Sequence, residues 1–244
     1  MKENAKFDTL SSRLAIITAK AVAQKAYTIE LETVITVAFS DIRNLPALGF
    51  KQDTPISNKE YVEKWVMRYL KAYENRPSIR KKKPSGTYPD PIMKTILQAR
   101  LSMANEKFIE QLEAGHQIIM NIENLVGELL EEYLADKLCK DGWCCCWGNT
   151  IDAVDFCKVD GTLLQVKNSD NSENSSSSRV RLGTTILKWY RRKSTKQEAF
   201  MWDKLHELVG RKDLTEQDFR KYVAGVVKNN PACVFIAEDS KLNI

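Results

Sequence analysis

The chain has 244 residues, a formal net charge of +5 and 43% hydrophobic residues. This is enough apolar material for one large globular domain, or for one domain and a smaller appendage. The excess of 37 basic over 32 acidic residues permits an anionic partner but does not require one. No stretch approaches the roughly 18 consecutive apolar residues of a membrane span, and the first residues, MKENAKFDTLSSRL, lack the apolar run of a signal peptide. We therefore expect a cytoplasmic globular protein.

The first hundred residues have helical patterns. In SNKEYVEKWVMRYLKAYENRP, Ser57 and Glu60 have the spacing of a capping box, and Pro77 ends the pattern. The apolar residues between them recur at helical spacing and predict one buried face: Val62, Trp65, Val66, Tyr69, Leu70 and Tyr73. We expect residues 1–103 to form a mainly helical region that dimerises, clasps a partner or only packs.

The segment RPSIRKKKPSGTYPDP is predicted to be a loop, since it holds four prolines. It carries four consecutive basic residues, Arg80, Lys81, Lys82 and Lys83. A run of this kind is usually a solvated surface. The alternative is a flexible arm that contacts the phosphates of a DNA duplex.

Residues 104–138 again predict a helix, whose apolar stripe consists of Ile119, Ile122, Val126, Leu129, Leu130 and Tyr133. At 100° per residue, Glu123 lies beside this stripe and Glu131 faces away from it. We therefore expect Glu123 to reach whatever packs against the helix, and Glu131 to meet only water.

The pattern then changes to that of strands. The cysteine-rich run GWCCCWG, with Cys144, Cys145 and Cys146, is predicted to be a short buried strand of reduced thiols, because the second ligand pair of a zinc site is missing. AVDFCKV and TLLQVKN are predicted to pair as a hairpin that turns at Asp160-Gly161. TTILKWYRR fits a strand or a helix, two short helices follow, and ACVFIAED is predicted to be a final buried strand. We expect an α/β fold with helices around a small mixed sheet.

The predicted hairpin places three polar groups together. Gln165 and Lys167 differ by two positions and therefore leave their strand on the same face, and Asp155 lies on the paired strand. Carboxylate and amide oxygens suit Mg²⁺, which takes few protein ligands. The lysine could orient or deprotonate a water and offset negative charge on a phosphate. The spacing alone is weak evidence for a catalytic metal site, because charged residues alternate on many exposed strands.

The order of these features resembles a known superfamily. A helix, then a hairpin with Asp on its first strand and (D/E)-x-K on its second, is similar to the PD-(D/E)xK nucleases. The stretch from ENLVGELLEEYLA through GWCCCWGNTIDAVDFC to LLQVKNSDNSENSSSSRVRLGT resembles the type II restriction endonucleases related to SinI, which cut GGWCC sites. The resemblance is densest over residues 123–192.

The resemblance implies roles for individual residues. Asp155 would be the metal-binding aspartate, Gln165 would stand where most members have Glu or Asp, and Lys167 would be the catalytic lysine. Glu123 would be the added helix carboxylate. Residues 104–244 would form the nuclease core with its recognition segment. The chain departs from the pattern in lacking a proline before the aspartate and in the uncharged Gln165, which weakens the metal site and makes Glu123 more important.

The resemblance also implies cofactors and partners. It predicts an Mg²⁺-dependent homodimer that hydrolyses phosphodiester bonds of double-stranded DNA at a short palindromic GC-rich site, with a cognate DNA methyltransferase in the same system. Two alternatives stay open. One is a repair or mobile-element nuclease of low specificity, and the other is a DNA-binding protein without catalysis.

Directly after the predicted catalytic strand, the stretch NSDNSENSSSSRVR is rich in hydrogen-bonding groups. Asparagine and arginine can read base edges, and serine can contact phosphate. The candidate DNA-binding residues here are Asn168, Ser169, Asp170, Asn171, Asn174, Ser175, Ser176, Arg179 and Arg181. The alternative is a disordered serine-rich linker.

Overall fold

The computed structural model of the chain describes residues 12–49, 56–82, 90–101, 106–170 and 185–236. These ranges hold seven α-helices, which are α1 (Ser12–Ala23), α2 (Ile29–Ala38), α3 (Asn58–Glu74), α4 (Pro91–Arg100), α5 (Glu106–Leu138), α6 (Trp202–Val209) and α7 (Glu216–Asn229). They also hold four strands, which are β1 (Cys144–Cys145), β2 (Phe156–Cys157), β3 (Leu163–Ser169) and β4 (Ile186–Arg192). The predicted α/β class is confirmed.

The four strands form one mixed sheet in the order β1-β2-β3-β4. The β1–β2 and β2–β3 pairs are antiparallel, whereas β3 and β4 are parallel. The segment TTILKWYRR, for which strand and helix were both open, is therefore a strand. Among the described strands, β4 lies at one edge of the sheet and β3 in its interior.

The described residues fall into two compact units. One takes its residues from Met1–Arg76 and Leu130–Arg220, and the other from Pro77–Leu129 and Lys221–Ile244. The first unit contains the whole sheet. The predicted division of roles between residues 1–103 and 104–244 stays a prediction.

In the first unit, α1, α2 and α3 cover one face of the sheet. Their buried side chains pack in one cluster with Cys157, Leu163 and Ile186 from the strands. The predicted capping box is confirmed, since the Ser57 hydroxyl accepts from the Glu60 N–H and the Glu60 carboxylate accepts from the Ser57 N–H. Such a cap stabilises a helix by about 1 kcal/mol.

A close contact joins α3 to the loop after β1. Gly148 has a φ of +76°, and a Cβ there would lie 2.9 Å from the Arg68 carbonyl oxygen. The Arg68 Nε donates in turn to the Gly148 carbonyl at 2.5 Å. Only glycine fits this position without displacing the helix.

Aromatic side chains cover the opposite face of the sheet. The Trp189 ring of β4 lies 5.1 Å from the Trp202 ring of α6, and the Phe219 ring of α7 lies 5.4 Å from the Tyr133 ring of α5. The sheet of the first unit therefore lies between two helical layers, as a buried mixed sheet requires.

In the second unit, ion pairs hold α4 to the start of α5, with the Lys94 ammonium 3.1 Å from Glu106. The predicted apolar stripe of α5 is buried only toward its end. Leu129 is 1% exposed, but Ile119 is 58% and Ile122 40% exposed. The periodicity of the sequence identified the apolar face of α5, but the packing within each unit decides how much of that face is buried.

The predicted final strand is wrong for the residues that the structure describes. Pro231–Cys233 is a 3₁₀ helix, and residues 234–236 are not in a strand. A helical turn begins because Pro231 occupies its first position, where its fixed φ suits a helix and its missing N–H is not needed. Residues 237–239 lie outside the described residues.

None of the described cysteines forms a disulfide, and Cys144, Cys145 and Cys146 are buried. Of the predicted strand GWCCCWG, two residues are extended in β1. No helix in the described part of the chain is both long and apolar enough to cross a membrane.

Candidate active site

The predicted hairpin is present, and its turn comprises residues 159–161. The Lys158 N–H donates to the Thr162 carbonyl at 3.0 Å, and the Asp160 carboxylate accepts from the Thr162 N–H at 2.9 Å. Of the two expected turn residues, only Gly161 has a positive φ, at +87°. The turn sets the register in which Phe156 pairs with Leu164.

Asp155 lies directly before β2, where the same register places it across from Gln165. Its N–H donates to the Leu164 carbonyl at 3.0 Å, and its Oδ2 accepts from the Val166 N–H at 2.7 Å. These two bonds bracket Gln165 and hold the carboxylate against β3. The expectation that Asp155 lies within a strand is wrong, because Ala153, at φ +59°, bends the chain just before it.

Gln165 and Lys167 lie on β3 as predicted, with alternate positions on one face. Gln165 is 3% exposed, and its Nε2 donates to the Ala153 carbonyl at 3.0 Å. Lys167 is partly exposed. The Ala153 carbonyl therefore orients the amide of Gln165, and the register of the hairpin places Asp155 across from that residue.

The helix carboxylate that lies near Asp155 is Glu131, which is partly buried. The expectation that Glu131 meets only water is wrong. Glu123 is exposed, and eight residues separate it from Glu131, about 12 Å along the axis of α5. The role predicted for Glu123 stays a prediction.

Electrostatics in the site oppose ionisation of both carboxylates. Burial raises the pKa of Asp155 to about 6, although the Val166 N–H and the Lys167 ammonium favour its charged form. Burial, and then the charge of Asp155, raise the pKa of Glu131 well above its ordinary value. Burial and the nearby Lys188 lower the pKa of Lys167, against the effect of Asp155. Two carboxylates that repel each other beside an amide are a site that a cation stabilises.

The donor set fits Mg²⁺ better than a softer metal. It consists of hard oxygens from Asp155, Glu131 and Gln165, and Mg²⁺ takes one or two protein carboxylates and fills its shell with water and phosphate. The described residues contain no group of three or more His, Cys, Asp or Glu side chains arranged to hold a metal. A site with only two carboxylates is consistent with that finding.

Of the residues predicted to bind DNA at the end of β3 and beyond it, three are described. The Asn168 Oδ1 accepts from the Arg191 Nε at 2.8 Å, and the Asp170 Oδ1 accepts from the Ser194 N–H at 2.7 Å. Ser169 lies on β3 in register with Arg192. The other predicted DNA-binding residues of this stretch lie outside the described residues: Asn171, Asn174, Ser175, Ser176, Arg179 and Arg181.

The basic loop belongs to the second unit. Arg80 forms an ion pair with Glu128, and the Lys82 N–H donates to the Ala232 carbonyl at 2.8 Å. Burial lowers the pKa of Lys82. Lys81 is exposed, and Lys83 lies outside the described residues. The loop thus holds its own unit together at Arg80 and presents at least Lys81 to solvent.

Comparison with known proteins identifies the family of the chain. The family model of the SinI restriction endonuclease matches residues 12–229. The type II restriction enzyme Eco47I of Escherichia coli is 39% identical over 179 residues, which cover 71% of this chain and 75% of that enzyme. The type II restriction enzyme SinI of Salmonella infantis is 39% identical over 168 residues, 66% of this chain and 72% of that enzyme. The chain therefore belongs to the SinI restriction endonuclease family and is a type II restriction endonuclease.

Proposed function

We propose that the chain hydrolyses phosphodiester bonds of double-stranded DNA at the site formed by Asp155, Glu131, Gln165 and Lys167, with Mg²⁺ as its cofactor. The observation that carries the proposal is the approach of two partly buried carboxylates, each with a raised pKa, beside a lysine with a lowered one. Perturbed groups that cluster in this way are typical of catalytic sites. Glu131 takes the role that the sequence predicted for Glu123.

Each side chain has a distinct task. Asp155 and Glu131 hold the cation, and Gln165 adds a neutral oxygen. Mg²⁺ bound there supplies positive charge that polarises the scissile phosphate. Lys167 orients the attacking water and can accept its proton when neutral, and the lowered pKa of Lys167 makes that neutral form more abundant. Its ammonium form offsets the charge that develops on the phosphate.

The proposed specificity is a short palindromic GC-rich site of the GGWCC kind. It follows from the resemblance to the SinI-related enzymes, the family to which the 39% identity to Eco47I and SinI assigns this chain. A two-fold symmetric site is matched by a homodimer in which each subunit cuts one strand. A methyltransferase that modifies the same site would protect the host DNA.

A plasmid digest tests this function. Supercoiled plasmid with several GGWCC sites should give discrete fragments with Mg²⁺ and none with a chelator, and a matched plasmid without such sites should stay intact. A smear would indicate a nuclease of low specificity, and no cleavage a protein that only binds DNA.

Four variants locate the site within the same digest. Lys167→Ala should slow cleavage by at least about 100-fold, whereas Lys204→Ala, which removes an exposed lysine from α6, should cut like the wild type. Glu131→Gln should lose activity and require more Mg²⁺, whereas Glu123→Gln should not. If both glutamate variants lose activity, Glu131 cannot be preferred over Glu123 as the metal-binding residue. If neither loses activity, the metal-binding carboxylate does not lie on α5.

A further inference from the structure

Lys188 of β4 lies beside the candidate active site. It is in register with Gln165 of β3, and the next in-register pair on that face is Lys167 with Tyr190. Neighbouring strands are about 4.8 Å apart, and in-register side chains of parallel strands lie on the same face. Lys188 therefore projects from the face that carries Gln165 and Lys167.

The ammonium group of Lys188 is available to an anion. The side chain is exposed, and no hydrogen bond or ion pair holds it within the described residues. Arg191, three residues later on β4, is by contrast buried and paired with Glu216 at 2.7 Å. The two basic residues thus have different surroundings, and only Lys188 is open to solvent.

A second cation so near Lys167 is unfavourable until an anion joins them. The register puts Lys188 and Lys167 on the same face of adjacent strands, two positions apart along the sheet, and two ammonium groups at that spacing repel each other. A phosphate between two ammonium groups relieves that repulsion. A DNA backbone supplies phosphates in succession along each strand.

We propose that Lys188 binds a backbone phosphate of the DNA next to the one that is cut. Because its position is defined relative to Lys167 and Gln165, this inference rests on the function proposed above. Lys188 then anchors the strand by charge alone and reads no base, since a lysine ammonium contacts phosphate as a point charge.

A competing explanation is that Lys188 protects an edge strand. Exposed lysines on edge strands discourage pairing with other chains, and β4 lies at an edge among the described strands. Such a lysine would affect solubility and leave DNA affinity unchanged.

Binding titrations separate these explanations. The probes are two labelled duplexes, one with a GGWCC site and one without, measured with the full chain in chelator so that no cleavage occurs. Lys188→Ala should weaken binding to both duplexes by the same factor. Loss of one phosphate contact should reduce the slope of log K against log salt by about 0.9. The ratio of variant to wild-type Kd should accordingly change by about 3.5-fold between about 50 and about 200 mM salt.

Two further variants control the measurement. Lys204→Ala removes the same charge from an exposed position on α6 and should leave the slope at the wild-type value. Lys188→Arg keeps the charge and should restore the slope, even if the alanine variant is less stable.

The proposal is overturned if the slope of log K against log salt is the same for Lys188→Ala and Lys204→Ala. It is also overturned if Lys188→Ala aggregates and the slope for Lys188→Arg is smaller than that of the wild type. Failure of the proposed function has a different signature, since Lys167→Ala would then cut like the wild type. An active wild type, an inactive Lys167→Ala variant and an unchanged slope for Lys188→Ala would remove the Lys188 contact alone.

Discussion

At Asp155 the chain places an acidic side chain where two effects oppose its charge. Burial raises its pKa to about 6, and Glu131 brings a second carboxylate to the same place. A metal-free enzyme therefore carries an electrostatic cost that a divalent cation would relieve. Such an exchange of stability for activity is what we expect of the proposed active site.

That cost predicts a pH dependence of stability in the metal-free protein. An unfolded aspartate ionises near pH 4, whereas Asp155 in the folded state keeps its proton up to about pH 6. Between these values the folded state binds more protons, so its stability falls as the pH rises from about 4 to about 6 and stays lower above that. The shift of about two pKa units sets an upper limit of about 3 kcal/mol.

Asp155→Asn should remove the part of this dependence that Asp155 causes, because an amide oxygen can still accept from the Val166 N–H but carries no charge. Without metal, the Tm of the variant should exceed that of the wild type by an amount that grows from pH 4 to pH 7. Added Mg²⁺ should raise the Tm of the wild type only. A Tm difference that is constant with pH would show that the charge of Asp155 has no cost.

At the scale of elements, a buried ion pair holds the end of β3, β4 and α7 together. The Arg191 Nη1 donates to both carboxylate oxygens of Glu216 at 2.7–2.8 Å, and its Nε donates to Asn168, the residue after Lys167. Arg191 is 7% exposed. The network therefore fixes the strand end from which Lys167 projects.

Breaking the pair should be costly. Arg191→Met removes the main partner of the partly buried Glu216 carboxylate, which keeps only Arg220 and Trp202, and breaking a buried pair costs at most about 3–5 kcal/mol. Arg220→Met is the matched control, because the Arg220 Nε binds the same Glu216 from a side chain that is 61% exposed, and an exposed pair contributes about 0–1 kcal/mol. Urea unfolding of both variants measures the two costs. Equal losses would mean that the buried pair has no special role.

The same elements show what the sequence could predict. Alternation on β3 placed Gln165 and Lys167 on one face, and the Asp-Gly turn placed Asp155 opposite them. These are local rules, with periods of two residues and turns of a few. Helix periodicity also identified the apolar residues that are buried at the end of α5, Leu129, Leu130 and Tyr133, but it selected Glu123 over Glu131.

The reason for that error is physical. Periodicity states which residues share a helix face, whereas the element that covers each face is decided by contacts between distant parts of the chain. Glu131 lies by the hairpin because of how the end of α5 packs in its unit. The pairing of Arg191 with Glu216, 25 residues later, is likewise invisible to a local pattern.

At the scale of the whole molecule, the proposed dimer predicts how mixtures of subunits cut. In a symmetric dimer on a palindrome, each subunit supplies one active site and cuts one strand. A dimer of one wild-type and one Lys167→Ala subunit would bind the site through both subunits but cut a single strand. The product would be a nicked circle instead of a linear plasmid.

The experiment co-expresses the two forms with different tags and isolates the mixed species, so that subunit exchange is not needed. The substrate is a supercoiled plasmid with one GGWCC site. The mixed dimer should accumulate nicked circles, and the wild-type dimer should give linear DNA. The dimer with Lys167→Ala in both subunits should give neither product. Linear product from the mixed species at the wild-type rate would mean that one subunit cuts both strands. A different outcome is a wild type that sediments as a monomer and still linearises the plasmid, with no mixed species to isolate. That result would contradict the proposed dimer and leave the proposed active site unaffected.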